Sequence, residues 1–309
     1  MKRVGNLFEK IVSLENLIAA DKAARKGKKF QKGVVKHVAN EESNILNLRE
    51  TLLAGDYKTS KYTTFKIFDG KEREISKLPY FPDRIVHHAI VRVIEPILVA
   101  SFTHDTYSCI KGRGIHKASY NLRRALKDIE GTKYCLKLDI QKFYPSIDNN
   151  ILKELLRHKF KDRRLLELLN EIIDSAKGLP IGSYLSQYLA NFYLNYFDHH
   201  MKEVLMLKYY FRYADDVVIL SSSKDYLREV LKNIEQELTK LNLKIKTNYQ
   251  IFPVSSRGID WVGYVHYQTH TLLRKKIKLN YIKSKNRFNY NGWLIHANTI
   301  NLRRKYETS

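Results

Sequence analysis

Cysteine is nearly missing from this chain: Cys109 and Cys135 are the only two in 309 residues. Two thiols cannot build a disulfide framework or a Cys-rich zinc module, so a reducing compartment is expected. Proline and glycine are also sparse, at 6 and 13. No Pro- or Gly-rich tract, internal repeat or low-complexity run is present, so any subdomains should be tightly joined. No apolar run approaches the ~20 residues of a membrane helix. The opening residues MKRVGNLFEKIVSLENL are broken by Glu9 and Glu15 and do not read as a signal peptide. A cytoplasmic protein with no membrane partner is the expectation. Acid is the remaining shortage: 32 Asp and Glu face 55 Lys and Arg, a net charge of +23. That imbalance is no argument about fold, but it favours an anionic polymer as partner.

What is present is ordinary globular composition, 44% hydrophobic and 28% charged, at a length suited to one large or two closely joined folding units. Residues 6–20 place Leu7, Phe8, Ile11, Leu14, Leu17 and Ile18 at helical spacing. A basic stretch over 22–36 reads either as a solvated loop or as one that contacts phosphates. A helix is expected over 41–54, ended by Gly55, and another from near Asp83 with one apolar face. Between them YTTFKIF-DG-KEREISK reads as a hairpin turning at Asp69-Gly70. The middle of the chain alternates. A strand over 133–140 sets Lys137 and Asp139 opposite Tyr134, Leu136 and Leu138, and a helix over 148–158 is capped by Ser146 or Asp148. One long helix is expected over 182–204. Two short strands flank Ala214-Asp215-Asp216, a helix spans 224–241, and short strands hold Ile245, Ile251, Trp261 and Tyr264. Strands backed by helices give an α+β layer fold.

The sharpest local feature is Tyr213-Ala214-Asp215-Asp216 between two apolar strands. Adjacent carboxylates at a turn are common on solvated surfaces, but burying them beside such strands demands a cation. Asp139, at the end of its own strand, is a third carboxylate in similar surroundings. Attack of a hydroxyl on a phosphate uses two divalent ions about 4 Å apart, gathered by acidic side chains. Asp139, Asp215 and Asp216 would supply hard oxygen ligands suited to Mg²⁺. The pairs His87-His88 and His199-His200 fit no metal spacing and read as structural.

These residues and the blocks around them resemble a reverse transcriptase. KEREISK, FPDRIVHHA, YSCIKGRGIHKA, LDIQKFYPSID, GLPIGSYLSQYLANFYLN, FRYADDVVIL and GIDWVGY stand in the family's order and cover almost the whole chain. The resemblance implies a right-hand polymerase, α+β, with interleaved fingers and palm to about residue 265 and a short helical thumb over 266–309. The palm would be an antiparallel sheet backed by helices. It implies two Mg²⁺ ions, with Mn²⁺ able to substitute, on Asp139, Asp215, Asp216 and the backbone carbonyl of Ile140. It gives a nucleotide pocket of Arg73, Lys71, Tyr144 or Phe143, Ile181, Gly182 and Gln187. Tyr144 or Phe143 would be the ring that excludes a 2′-hydroxyl. Primer and template contacts fall on Arg113, Trp261, Gly263, Tyr264, Lys275 and Lys276. The partners implied are a template RNA, the RNA–cDNA duplex and dNTPs. The family's usual lysine beyond YADD falls near Tyr249, with Lys244 and Lys246 close by, and is left unassigned.

Ile181 and Gln187 stand where most bacterial relatives, such as group II intron enzymes, carry Gln and Pro. That departure resembles the reverse transcriptases of diversity-generating retroelements, as does the ending GWLIHANTINLRRKY. It implies a bacterial or phage-encoded enzyme, copying with errors concentrated at template adenines, beside a small basic accessory protein. An apolar Ile181 also removes hydrogen-bonding groups from the pocket, which lowers discrimination between bases. The alternatives are an accurate group II-like or defence-associated reverse transcriptase, and a non-catalytic RNA-binding shell.

Overall fold

The computed structural model describes residues 3–68 and 72–307. The chain forms two compact units, each from separate stretches. One holds Met1–Phe102, Lys142–Tyr196 and Leu241–Leu243, the other Thr103–Gln141, Phe197–Lys240 and Lys244–Ser309. No helix of the described residues is long and apolar enough to cross a membrane.

The first unit is mostly helical. The apolar period over 6–20 predicts one helix, but two form, Phe8–Val12 and Leu14–Ala24. Ser13 separates them: its backbone is extended (ψ 140°) and its hydroxyl accepts from the Asn16 N–H, capping the second helix. Helix Glu41–Ala54 ends at left-handed Gly55 (φ 79°), as expected. Helix Ile85–Val99 buries Ile85, Ile90, Ile94 and Leu98, and helix Leu14–Ala24 packs along it. Strands β1 (Thr63–Phe68) and β2 (Glu72–Lys77) pair antiparallel, as the hairpin reading requires. The expected Asp69-Gly70 turn lies outside the described residues. Asp148, the second of the two cap candidates, starts helix Asn149–Lys159 by accepting from Asn150 and Ile151.

The long helix expected over 182–204 is three pieces. Helix Tyr184–Tyr193 is capped by Ser183, Leu194 leaves helical geometry (φ −93°, ψ 5°), and Asn195–His199 runs into a wide turn at His200–Val204. The break falls beside the point where the chain passes from one unit to the other.

The second unit is built on a five-stranded sheet in the order β3-β5-β6-β4-β7. Its strands are β3 (Thr106–Tyr107), β4 (Tyr134–Asp139), β5 (Tyr209–Tyr213), β6 (Asp216–Ser221) and β7 (Gln250–Pro253). Four strands pair antiparallel, as expected. The short β3 adds to β5 in parallel, because a long stretch of chain, not a hairpin, joins them. Ile245 makes a single bridge to Ile140 instead of a strand. Helix Lys224–Lys240 buries Leu227, Val230, Ile234 and Leu238 and packs on β4, β6 and β7. A three-stranded meander follows: β8 (Ile259–Trp261), β9 (Tyr264–His266) and β10 (Thr271–Leu273). The C-terminal helices, among them Lys275–Lys283 and Ile300–Glu307, close around Tyr264, Leu273, Tyr281 and Leu294.

Two buried histidines tie the fold to pH. Burial pushes His87 down to about 4 and His266 down to about 3, each with Nε2 buried and unpartnered. The unfolded chain therefore takes these protons first. Their contribution is whole above the unfolded value near 6.5 and is lost as pH falls through the window down to the folded values. Thermal melting should lose stability from pH 6.5 to 4.5, and His87→Gln should flatten that slope. Over those two pH units each of these histidines accounts for at most about 3 kcal/mol of the pH-dependent stability.

Candidate active site

Strands β5 and β6 join through Ala214 and Asp215, with Tyr213 paired to Asp216. Ala214 sits at φ 53°, in the left-handed region that costs a residue with a Cβ about 1 kcal/mol or more. On the other side of β6, Asp139 pairs with Asp216 in β4. Residues directly opposite in an antiparallel ladder share a face, so these two carboxylates project together at the end of the sheet. The Ile140 N–H donates to the Asp215 carbonyl (3.1 Å), which carries the ladder one step into the turn. Backbone register thus sets Asp139 beside Asp216 and leaves Asp215 in the adjoining turn.

Their electrostatics follow from that crowding. Burial, together with the negative charges of Asp139 and Asp215 and against the relief given by Lys137, pushes Asp216 up to about 7. Asp216 Oδ1 is buried with no hydrogen-bond partner. Lys246 answers part of the charge: its ammonium pairs with Asp139 Oδ1, and its N–H donates to the Asp139 carbonyl (2.9 Å). Lys137, on the same face as Asp139, donates to the Asp260 carbonyl, and Asp260 accepts from Arg274 Nε (2.6 Å). No three His, Cys, Asp or Glu side chains among the described residues are already drawn together as a metal centre. The donor set nonetheless fits one: three hard oxygen donors, one with a buried unsatisfied oxygen that a divalent cation would satisfy.

The other predicted residues fall elsewhere. Arg73 is exposed on β2, and Lys71 lies outside the described residues. Of the Phe143–Tyr144 pair, Phe143 is core and Tyr144 is half-exposed. Ile181 and Gln187 are half-buried, and the Ile181 carbonyl accepts from the Ser76 N–H (2.9 Å). Gly182 (φ 111°) is required by the chain itself. A Cβ there would stand 3.0 Å from both the Ser76 carbonyl oxygen and Ile75 Cγ2, so the close approach is to β2.

Arg113 is committed internally, donating to the Thr103 carbonyl (2.8 Å). The aromatics expected to grip a primer are core residues. Trp261 is buried against Tyr107 and Phe211, and Tyr264 is buried with its hydroxyl at His116 Nδ1 (3.0 Å). Gly263 (φ 88°) lies under Trp293, whose ring a Cβ would strike. Neither ring is free to lie on a strand of nucleic acid. Lys275 and Lys276 are exposed at the start of helix Lys275–Lys283.

Sequence reasoning leaves Lys246 without a role, although it is one of two lysines beside the expected position. It misses the buried Arg212–Asp198 pair behind the turn (2.5 Å). A charged residue inside the apolar run FRYADDVVIL is the available signal. It also misses that His87, read simply as structural, bonds the Ser183 hydroxyl (3.0 Å) beside Gly182.

Comparison with known proteins agrees with this sheet and turn. Residues 60–266 match the family described as reverse transcriptase (RNA-dependent DNA polymerase). The chain belongs to that family. It is 24% identical over 271 residues to the group II intron-encoded protein LtrA of Lactococcus lactis subsp. cremoris, covering 79% of this chain and 44% of LtrA. It is 25% identical over 235 residues to the retron Ec73 reverse transcriptase of Escherichia coli, covering 65% of this chain and 73% of that one. Its fold is similar to that of apo telomerase from Candida tropicalis, with TM-score 0.54 and 14% identity over 71% of this chain and 49% of that one. The chain therefore spans about half of that telomerase and less than half of LtrA. The fold is the α+β reverse transcriptase fold, of the right-hand polymerase class, and reverse transcriptase domains generally use divalent metal ions.

Because Gly182 serves the contact with β2, Gly182→Ala should cost stability. A positive φ and two tight contacts predict a loss of about 1–3 kcal/mol in urea unfolding. A variant that unfolds like the parent would show the glycine free of that constraint.

Proposed function

We propose that the chain is an RNA-directed DNA polymerase that extends a primer with dNTPs on an RNA template. The observation that carries this reading is the pairing of Asp139 with Asp216 beside Asp215, with a buried unsatisfied oxygen at Asp216. Two Mg²⁺ ions would be held by Asp139, Asp215, Asp216 and the Ile140 carbonyl. When bound, such ions lower the pKa of an attacking hydroxyl and stabilise a departing pyrophosphate.

The chain's own residues do the rest. The β4–β6 ladder fixes two of the carboxylates, and Lys246 limits their mutual repulsion and is a proton donor at the site. Tyr144, the half-exposed member of its pair, is the ring that would exclude a 2′-hydroxyl; Phe143 is held in the core. Arg73 offers a guanidinium for triphosphate and base. The basic C-terminal helices, with Lys275 and Lys276, follow the phosphates of the RNA–cDNA duplex and not its sequence. In domain terms, residues to about 265 are fingers and palm, and 266–309 are thumb.

The finer reading is a diversity-generating retroelement enzyme of a bacterial or phage cytoplasm, copying a template-repeat RNA with low fidelity at adenines. Ile181 and Gln187 support it. Its small basic accessory protein would meet a chain of net charge +23, so docking needs an acidic patch or bridging RNA. The likeness to LtrA and the retron enzyme favours a second reading, an accurate or defence-associated reverse transcriptase.

Asp215→Asn with Asp216→Asn should abolish Mg²⁺-dependent primer extension. The pair should melt no lower than the parent, since burying an amide costs less than burying a carboxylate. Retained extension would refute the assignment. Sequencing cDNA made from a defined RNA separates the two readings: substitutions should cluster at template adenines, and a uniformly low error rate would favour the accurate enzyme.

A further inference from the structure

Arg212 lies on the strand leading into the Asp215 turn yet faces away from the carboxylates. Tyr213 pairs with Asp216, so strand alternation puts Arg212 on the opposite face of the sheet. There its guanidinium is fully buried, and the groups it bonds are specific. Nε and Nη2 donate to Asp198 Oδ1 (2.7 Å) and Oδ2 (2.5 Å), while Nη1 donates to the Ala214 carbonyl (2.8 Å). Asp198 is itself fixed: the Tyr210 hydroxyl donates to Oδ1 (2.5 Å) and the Thr106 hydroxyl to Oδ2 (2.8 Å).

We propose that Arg212, clamped by Asp198, is a positioning residue for nucleotidyl transfer: it holds the Ala214 carbonyl and so fixes the backbone that presents Asp215 and Asp216. The proposal rests on the polymerase reading above.

Three observations carry it. Ala214 is left-handed (φ 53°), a conformation a residue with a Cβ leaves readily unless held. The side-chain bond to its carbonyl comes from a planar fork whose other two nitrogens are anchored, and a lysine, with its single point charge, cannot reproduce that. A buried ion pair is weak as a source of stability, so its presence asks for another reason, and geometry at the turn supplies one.

The test is steady-state primer extension by the full chain on poly(rA)·oligo(dT) with dTTP, titrating Mg²⁺. Arg212→Lys should lower kcat and raise the half-saturating Mg²⁺, each by about 10- to 100-fold, with little change in KM for dTTP. Leu238→Ala removes buried apolar packing from helix Lys224–Lys240 and touches none of the groups that hold Ala214. It should lower the melting temperature while keeping kcat and the Mg²⁺ requirement near those of the parent. If Arg212→Lys does not fold, the double variant Arg212→Met with Asp198→Asn removes the buried charges together, which proteins tolerate better than losing one partner. It should show the same two losses. A folded Arg212 variant with parental kcat and Mg²⁺ dependence would overturn the proposal. So would equal kcat losses in Arg212→Lys and Leu238→Ala at equal loss of melting temperature. A parent chain that extends no primer would remove the polymerase reading and this proposal with it; a parent that extends while the variants match it removes only the proposal.

Discussion

The register of β4 against β6 is the constraint on which the site depends. Six cross-strand pairs run from Tyr134–Ser221 to Asp139–Asp216, and the apolar ones, Leu136–Ile219 and Leu138–Val217 among them, are what choose this pairing. A slip of one residue would send every side chain of β4 to the other face and part Asp139 from Asp216. Like charges set opposite each other weaken a sheet. The ladder therefore uses apolar packing to hold an arrangement that electrostatics opposes, and such an arrangement makes sense when a cation shares the site.

The surroundings of the turn divide that cost between the two faces of the sheet. On the carboxylate face, Lys246 pairs with Asp139, and Lys137 lowers the proton affinity of Asp216. These lysines stay partly open to water and can change partners. On the opposite face Arg212, Asp198, Tyr210 and Thr106 form a closed buried network with both Asp198 oxygens doubly bonded. That face supplies rigidity where the other supplies compensating charge. The same residues could not do both, because a group free to exchange its partners cannot hold a turn in place.

Local chemistry decides what can be read from sequence. The paired strands about Asp215, the placement of Asp139 opposite Leu136 and Leu138, the Gly55 stop and the Asp148 cap are legible because each is fixed by alternation or by a capping residue. Helix breaks at Ser13 and Leu194 are not, since apolar spacing continues across both and hides a change of axis. At the site the three carboxylates are legible from motif and strand ends. Residues whose roles depend on burial are not: Trp261 and Tyr264 read equally well as exposed platforms and as core. Lys246 reaches Asp139 only through the bridge that aligns Ile140 with Ile245, a contact with no periodic signature. Gly182 shows the right property in sequence, close approach, but not the surface approached, since β2 occupies it.

Charge distribution in the C-terminal segment extends the same logic. Between Thr271 and Tyr306 the sequence has no acid, and Arg274 finds its carboxylate at Asp260, outside that stretch. Cohesion there comes from an apolar cluster, Tyr281 and Leu294 with Ile277, Trp293 and Leu302 packed around them. Cations gathered on helices with no acids between them repel one another, and salt or an anionic polymer relieves that repulsion. Trp293 ties this segment to Gly263, so the turn between β8 and β9 is the seat on which the basic helices rest. The aromatics beside that turn, Trp261 and Tyr264, are buried in the packing, while Lys275 and Lys276 stay exposed.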